Sequence, residues 1–243
     1  MTALKIARDV VSPNHGPRPQ GLRPDILLLH YTGMPTAAAA IARLCDPLAN
    51  VSSHYVVDED GAILRLVPEA RRAHHAGVSS WQGTTDINSR SIGIEIVNPG
   101  HEFGYRPFPD AQIEAVIALC RDILARQPIA PERVLAHSDV APERKQDPGE
   151  LFPWDRLAAA GIGRWVEPSP IADGPAFRRG DEGLPIRALQ AMLAHYGYGL
   201  DLTGVFDART EAVVTAFQRH FRPARVDGVA DRSTFETLHR LAG

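Results

Sequence analysis

The sequence predicts an α/β domain followed by a small helical domain. Two apolar runs are typical of buried strands, DILLLH at 25–30 and SIGIEIV at 91–97. The segment 109–127 carries apolar residues at helical spacing with charges on the opposite face. Beyond a Pro-, Ser- and Gly-rich stretch at 168–174, the pattern changes to short helices. We therefore expect a sheet with a covering helix first and a helical module after it.

Composition and charge limit the possible partners of the chain. With 44% hydrophobic and 23% charged residues among 243, the chain is globular. Its 26 basic and 29 acidic side chains give a net charge of -3, so we expect no nucleic-acid partner. The two cysteines, Cys45 and Cys120, occupy apolar positions of predicted helices and are expected to be buried thiols.

No apolar run approaches the roughly 20 residues that a membrane span needs, so no span is expected. The start of the chain, MTALKIARDVVSPNHG, has neither the apolar core nor the small-residue cleavage site of a secretory signal. These features predict a cytoplasmic protein. The alternative is a protein of the cell envelope whose leader has been removed.

The first part of the chain contains several local signals. Four prolines and two glycines predict an irregular arm over 1–24. Thr36 is placed to cap a helix over 37–45. The runs 54–57 and 62–67 flank an Asp-Glu-Asp-Gly turn and predict a hairpin.

Two predicted strands end in a histidine. His137 follows an apolar run and opens the segment HSDVAPERKQDPG, whose prolines predict a loop and which also holds Lys145 and Asp147. His30 ends the run DILLLH. Imidazoles and carboxylates are good zinc ligands, and a catalytic zinc usually takes three from the protein. The alternative is that each histidine makes one ordinary hydrogen bond at a strand end.

The strand SIGIEIV places Ile92, Ile94 and Ile96 on one face and Glu95 on the other. A carboxylate in the middle of a strand is costly to bury without a purpose or partner. Across a cleft from a metal, Glu95 could accept a proton. The alternative is a solvent-exposed sheet face.

Five blocks follow one another along the chain. They are HYTG from His30, VSSHYVVDEDG at 51–61, HHAG at 74–77, INSRSIGIEIVNPG at 87–100 and AHSDVAPERKQDPG at 136–149. Together they resemble the zinc-dependent N-acetylmuramoyl-L-alanine amidases of the type 2 family, which shares its fold with the peptidoglycan recognition proteins. The resemblance runs from about His30 to Trp154. It implies a central mixed β-sheet flanked by helices.

The resemblance also implies roles for particular residues. Zn²⁺ would be held by His30, His137 and Asp147. Glu95 matches the family's catalytic glutamate. Lys145 matches the family's KxDPG pattern and would place an ammonium near the developing oxyanion. The bond cut would be the amide between the lactyl group of N-acetylmuramic acid and L-alanine.

Three further residues are candidates for substrate binding. His75 matches a histidine that the family retains near the substrate, although this chain has His74 where many relatives have Trp. His54 could line the cleft or be a plain strand-face histidine. Asn98, at the end of the strand that carries Glu95, is the third candidate.

The last part of the chain contains an internal sequence repeat. TGVFDART at 203–210 recurs as DGVADRST at 227–234, and each copy leads through an Asp placed as a cap into an apolar helical run. With a further helix over 184–196, this module resembles the peptidoglycan-binding domain of cell-wall hydrolases; a packing domain that binds nothing is the alternative. The predicted divisions are a catalytic domain over 1–167, a linker over 168–176 and the helical domain over 177–243.

These observations predict an amidase acting on peptidoglycan or on soluble anhydromuropeptides, in cell-wall remodelling or recycling. Two other functions stay open at this point. One is a muropeptide sensor that binds without cleaving, and the other is a zinc peptidase that cuts within the stem peptide. The sequence gives no signal for a protein partner.

Overall fold

The structure is a computed structural model and describes residues 4–242. The strands are β1 (Arg8–Asp9), β2 (His15–Pro17), β3 (Ile26–Tyr31), β4 (Tyr55–Val57), β5 (Ile63–Arg65), β6 (Arg71–Ala73), β7 (Ser91–Ile96), β8 (Val134–Ala136), β9 (Ala176–Phe177) and β10 (Ala230–Asp231). The α-helices are α1 (Ala37–Cys45), α2 (Ile87–Arg90), α3 (Gly100–Phe103), α4 (Asp110–Arg126), α5 (His137–Val140), α6 (Trp154–Ala159), α7 (Leu184–Tyr196), α8 (Ala208–Phe221) and α9 (Arg232–Ala242). A 3₁₀ turn, Pro131–Arg133, precedes β8.

Six strands form a mixed sheet in the order β1-β5-β4-β7-β3-β8. The central strand β3 is parallel to both β7 and β8, whereas β4 is antiparallel to β5 in the predicted hairpin. Central parallel strands are covered on both faces, which explains the nearly unbroken apolar run of β3. The predicted α/β class with a mixed sheet flanked by helices is confirmed.

The two faces of the sheet are covered differently. Alternate residues of β3, Leu27 and Leu29, pack with the isoleucines of β7 against α4. The other face carries Ile26 and Leu28 and, at the end of the strand, His30. The predicted helices cover both faces, because α4 packs on one and α1 on the other, where Leu44 lies with Val56 and Leu64. The predicted cap of α1 is also present, since the Ala39 N–H donates to Thr36 Oγ1 over 3.1 Å.

The N-terminal segment is only partly irregular, so the predicted arm over 1–24 is wrong at two places. β1 joins β5 in parallel and β2 joins β6 antiparallel. Each short strand pairs backbone N–H and C=O groups that would otherwise be unpaired at a sheet edge. An edge strand also tolerates proline. Residues 1–3 lie outside the described residues.

The C-terminal module, defined as β9 to α9, is helical as predicted, with one added ladder between β9 and β10. Its two halves use the same devices. Asp207 accepts from the Thr210 N–H and Asp231 from the Thr234 N–H, each over 2.8 Å. Because both caps fix a helix start directly after a glycine turn, the sequence repeat corresponds to a repeated structural unit.

The C-terminal module shares its core with the sheet. Trp81, in the loop after β6, is fully buried and packs edge-on against Tyr196 and Tyr198. A Cβ atom at Gly197 would lie 2.6 Å from the Trp81 ring, so only glycine fits there. Ser169, within the predicted linker, is also buried and bonds to α9 through the Thr237 hydroxyl. The divisions at 167 and 177 stay a prediction.

Across residues 4–242, the structure has no helix with both the length and the apolar character that a membrane crossing needs.

Candidate active site

Three buried side chains converge at one edge of the sheet. They are His30 at the end of β3, His137 at the start of α5 and Asp147 in the loop before α6, and we call them the ligand triad. His30 Nδ1 lies 2.9 Å from His137 Nδ1 and 3.0 Å from Asp147 Oδ2. His137 Nδ1 lies 2.9 Å from the same carboxylate oxygen. The structure therefore brings together the three residues predicted as metal ligands.

Strand pairing positions the two histidines. Because β3 and β8 are parallel, their C-terminal ends meet at the same edge of the sheet. Leu29 of β3 pairs with Ala136, the last residue of β8, so His30 and His137, which follow them in sequence, lie side by side. The predicted loop at His137 is wrong for the first turn, since α5 begins there directly.

Backbone bonds fix the third member of the triad. The Ser138 N–H of α5 donates to the Asp147 carbonyl oxygen over 3.0 Å. Tyr105 Oη donates to the next carbonyl, that of Pro148, over 2.9 Å. Gly149 adopts a positive φ of 86°, and a Cβ atom there would lie 2.3 Å from Tyr105 Oη. Glycine at this position therefore allows the close approach that holds the Asp147 loop.

The hydrogen bonds around His137 select its tautomer. His137 Nε2 lies 3.0 Å from the Ala76 carbonyl oxygen, which can only accept. Nε2 therefore carries the proton in the neutral ring, and Nδ1 keeps a lone pair that faces the other two members of the triad. A second bond of this kind is common where histidine ligates a metal.

A longer chain of bonds selects the tautomer of His30. The Ser91 hydroxyl donates to the Ile87 carbonyl oxygen over 2.7 Å, so it must accept from His75 Nε2 at 3.2 Å. His75 Nδ1 then has a lone pair and accepts from His30 Nε2 at 3.0 Å. Consequently His30 Nδ1, like His137 Nδ1, presents a lone pair inside the triad.

The charges of the triad fit a cation. Burial, followed by the neighbouring His137, lowers the pKa of His30 to about 4. Burial opposes ionisation of Asp147, yet the two imidazoles beside it hold the pKa of its carboxyl well below its usual range. Two neutral imidazoles and one carboxylate are a common donor set for zinc. A tetrahedral ion with bonds of about 2.0–2.1 Å needs donor atoms about 3.3 Å apart, close to the observed separations.

Glu95 stands next to the triad because β7 pairs with β3 in the register that sets it opposite His30. Its Oε2 atom is buried and has no hydrogen-bond partner within the described residues. Burial, reinforced by the Asp147 carboxylate, raises the pKa of Glu95 well above its usual value, while Lys145 opposes the shift. An unpaired carboxyl oxygen of raised pKa suits a group that exchanges protons with a substrate.

One cavity of about 250 Å³, the catalytic cavity, contains all five predicted catalytic and metal-binding residues. Lys145 lines it together with Glu95 and the triad. Arg43 and Leu44 of α1 also line the cavity. One space is therefore lined by the metal donors, a carboxyl and an ammonium.

The three predicted substrate-binding residues are placed differently. His75 lines the catalytic cavity but is mostly buried and bonded to His30. His54 is fully buried, its Nδ1 accepts from the Gly93 N–H, and burial lowers its pKa to about 3. The Asn98 amide is buried and bonds to the backbone of Gly100 and of a neighbouring loop. For His54 and Asn98 the structure favours a scaffold role over the predicted substrate contact.

Sequence reasoning missed the role of Ser91 and the true partner of His75. One signal was available at Gly93, which lies between Ser91 and Glu95 on the same face of β7. A Cβ atom at Gly93 would lie 2.6 Å from the His75 ring, so this glycine marks a close approach. Which ring approaches it depends on a loop distant in sequence.

The fold is a mixed α/β sheet, and at its edge lies a His-His-Asp donor set that could hold a metal ion beside a buried carboxyl. The family described as N-acetylmuramoyl-L-alanine amidase matches residues 20–150, and a peptidoglycan binding domain family matches residues 182–238. The chain belongs to the N-acetylmuramoyl-L-alanine amidase family. It is a hydrolase of that class, as the resemblance predicted.

Individual relatives of this chain are also amidases. AmiD of Escherichia coli K12, an N-acetylmuramoyl-L-alanine amidase, is 42% identical over 223 residues, which is 86% of this chain and 79% of AmiD. AmpD of Enterobacter cloacae, a 1,6-anhydro-N-acetylmuramyl-L-alanine amidase, is 35% identical over 170 residues, covering 63% of this chain and 89% of AmpD.

Solved structures are similar to this chain over most of its length. E. coli AmiD in complex with anhydro-N-acetylmuramic acid-L-Ala-D-gamma-Glu-L-Lys has a TM-score of 0.76 at 39% identity and covers 92% of this chain and 91% of its own. AmpDh3 of Pseudomonas aeruginosa has a TM-score of 0.74 at 33% identity and covers 92% of each chain. Both comparisons extend across the C-terminal module.

We expect Ser91→Ala to weaken metal binding. Without the hydroxyl, His75 Nε2–H loses its acceptor and His30 is no longer held in the tautomer that frees Nδ1. The expected loss in zinc affinity is about 10- to 100-fold, measured by competition with a chromogenic chelator. Ser53→Ala is the matched control, because Ser53 is equally buried but its hydroxyl bonds only to backbone carbonyls. Equal zinc affinity in the two variants would contradict the tautomer argument.

Proposed function

We propose that this protein hydrolyses the amide between the lactyl group of N-acetylmuramic acid and the L-alanine of a stem peptide, with soluble anhydromuropeptides as substrates. The observation that carries this proposal is the ligand triad beside Glu95 and Lys145 in one cavity. Family membership supports the bond cut. The ligand named in the AmiD complex supports the form of substrate, since it is an anhydromuropeptide with that amide.

Zinc is the metal that the donor set favours. His30 Nδ1, His137 Nδ1 and Asp147 Oδ2 would hold it, and two imidazoles with one carboxylate leave a fourth position for chemistry. When bound, zinc supplies Lewis acidity toward a carbonyl oxygen and toward water. The chain supports this role by burying all three donors and by fixing both imidazole tautomers.

Glu95 moves the proton. As the oxygen of the attacking water bonds to the carbonyl carbon, the Glu95 carboxylate takes its proton, and it delivers that proton to the L-alanine nitrogen as the C–N bond breaks. Burial raises the pKa of Glu95, which helps the carboxyl to hold the proton between these two steps. The products are a carboxylic acid on the lactyl group and a free peptide amine.

Lys145 supplies positive charge in the catalytic cavity. Its position two residues before Asp147 places it among the lining residues near Glu95. An ammonium there favours the negative charge that develops on the carbonyl oxygen when the carbon becomes tetrahedral. Because the surrounding walls are partly apolar, that charge is screened less than it would be in water.

Removing the base should separate chemistry from metal binding. We expect Glu95→Gln to lower kcat by about 10²- to 10⁴-fold, because the amide cannot take the proton. Its zinc content should stay unchanged, since Glu95 is not in the triad. Glu102→Gln, an exposed site on α3, is the control. Unchanged kcat in Glu95→Gln would remove Glu95 from the mechanism.

Product analysis tests the function itself. Incubation with anhydro-N-acetylmuramyl-tripeptide, followed by mass spectrometry, should yield anhydro-N-acetylmuramic acid and an intact tripeptide. Fragments of the peptide would instead indicate the zinc peptidase, and binding without turnover would indicate the sensor. The cytoplasmic compartment stays a prediction, and fractionation of cells expressing the native gene tests it.

A further inference from the structure

The C-terminal module reaches the ligand triad through one buried carboxylate. Asp139 lies on α5, two residues after His137, and its side chain is almost fully buried. Its Oδ2 accepts from the Ala136 N–H over 2.8 Å, directly before the triad histidine. The other two bonds come from the C-terminal module: Tyr198 Oη donates to Oδ1 and His220 Nδ1 to Oδ2, each over 2.7 Å. The module and the His137 turn therefore share one acceptor group.

His220 is itself held firmly. Its ring stacks on Trp154 with centroids 3.8 Å apart and planes 23° apart. Trp154 begins α6, which follows the loop that carries Asp147. Through this stack, the end of α8 contacts the segment after the third triad residue as well as α5.

Arg219, the neighbour of His220 on α8, contacts the Asp147 loop directly. Its guanidinium donates to Gln146 Oε1 over 3.4 Å and lies 3.7 Å from the Glu150 carboxylate. These partners flank Asp147 on both sides. The module thus contacts each of the two triad segments that lie outside β3.

We infer that the C-terminal module positions the metal ligands of the amidase site, with Tyr198 and His220 acting as positioning residues through Asp139. The inference rests on the proposed metal site. It gives the module a role in catalysis that is separate from any binding of peptidoglycan.

The physical reason is the cost of an unpaired buried acceptor. If Tyr198 loses its hydroxyl, Asp139 Oδ1 has no donor in a site that is closed to water, and a buried polar atom left unpaired is expensive. The short helix α5 then relaxes toward other donors and moves His137 with it. A metal site tolerates only small displacements of its donors, so metal affinity falls.

Tyr196 offers a matched control for Tyr198. Both rings pack on Trp81, with centroids 5.7 Å and 5.0 Å away, but the hydroxyl that bonds Asp139 is that of Tyr198. We expect Tyr198→Phe to weaken zinc affinity about 10-fold, at the lower end of outer-shell effects, and Tyr196→Phe to leave it unchanged within about 2-fold. Both affinities are measured on the full-length chain by chelator competition.

Kinetics at different zinc concentrations separate positioning from general damage. Saturating zinc should restore the kcat of Tyr198→Phe, and KM for the anhydromuropeptide should stay unchanged throughout. A kcat deficit that persists at saturating zinc, or a zinc affinity equal to that of Tyr196→Phe, would overturn the inference.

A second pair of variants keeps the test valid if Tyr198→Phe does not fold. His220→Asn retains a donor near the position of Nδ1, whereas His220→Leu removes it. We expect His220→Leu to lose zinc affinity about 10-fold and His220→Asn to recover most of it. Equal affinities in the two variants would overturn the inference while leaving the proposed function intact. A wild-type chain that binds no zinc would overturn both.

Discussion

The parallel pairing of β3 with β7 and β8 is the constraint on which the active site depends. It sets His30 opposite Glu95 and ends β3 and β8 at the same edge, so that two imidazoles and a carboxyl from distant parts of the chain meet. A shift of one residue in either register would turn a metal-binding or catalytic side chain to the opposite face of the sheet. That shift would be costly, because it would expose the isoleucines of β7 that are buried against α4. The burial that stabilises the sheet therefore also keeps Glu95 opposite His30.

The face that carries the chemistry combines an apolar cluster, which includes Ile26 and Leu28, with a network of polar bonds around the triad. Each triad histidine has its second nitrogen bonded, His137 to the Ala76 carbonyl and His30 to His75. The C-terminal module contacts this face at Trp81, on which Tyr196 and Tyr198 pack, and at Asp139, which accepts from Tyr198. Buried polar groups are tolerable only when they are paired, so the triad, its outer partners and the module act as one connected network. The Glu95 Oε2 atom is buried beside the triad without a hydrogen-bond partner among the described residues, and it is the atom to which we assign proton transfer.

Local patterns predicted much of this structure from the sequence. β3 and β7, the helices α1, α4 and α7, and the caps at Thr36 and Asp207 follow from periodicity and capping within a few residues. The triad was predicted by strand-end histidines and by resemblance. The sequence did not predict correctly the features that depend on a residue or strand far away in the chain. The short strands β1 and β2 exist only because sheet edges accept them, and the roles of His54, His75 and Asp139 depend on loops and helices far away in sequence.

The coordination of the metal tests the central claim most directly. X-ray absorption at the zinc edge of the zinc-bound, full-length chain should show nitrogen and oxygen neighbours at about 2.0–2.2 Å. Scattering from more distant atoms should show the rings of two imidazoles. A sulfur neighbour at about 2.3 Å, which only a cysteine or methionine could provide, would contradict the account. So would a shell of oxygen atoms without imidazole.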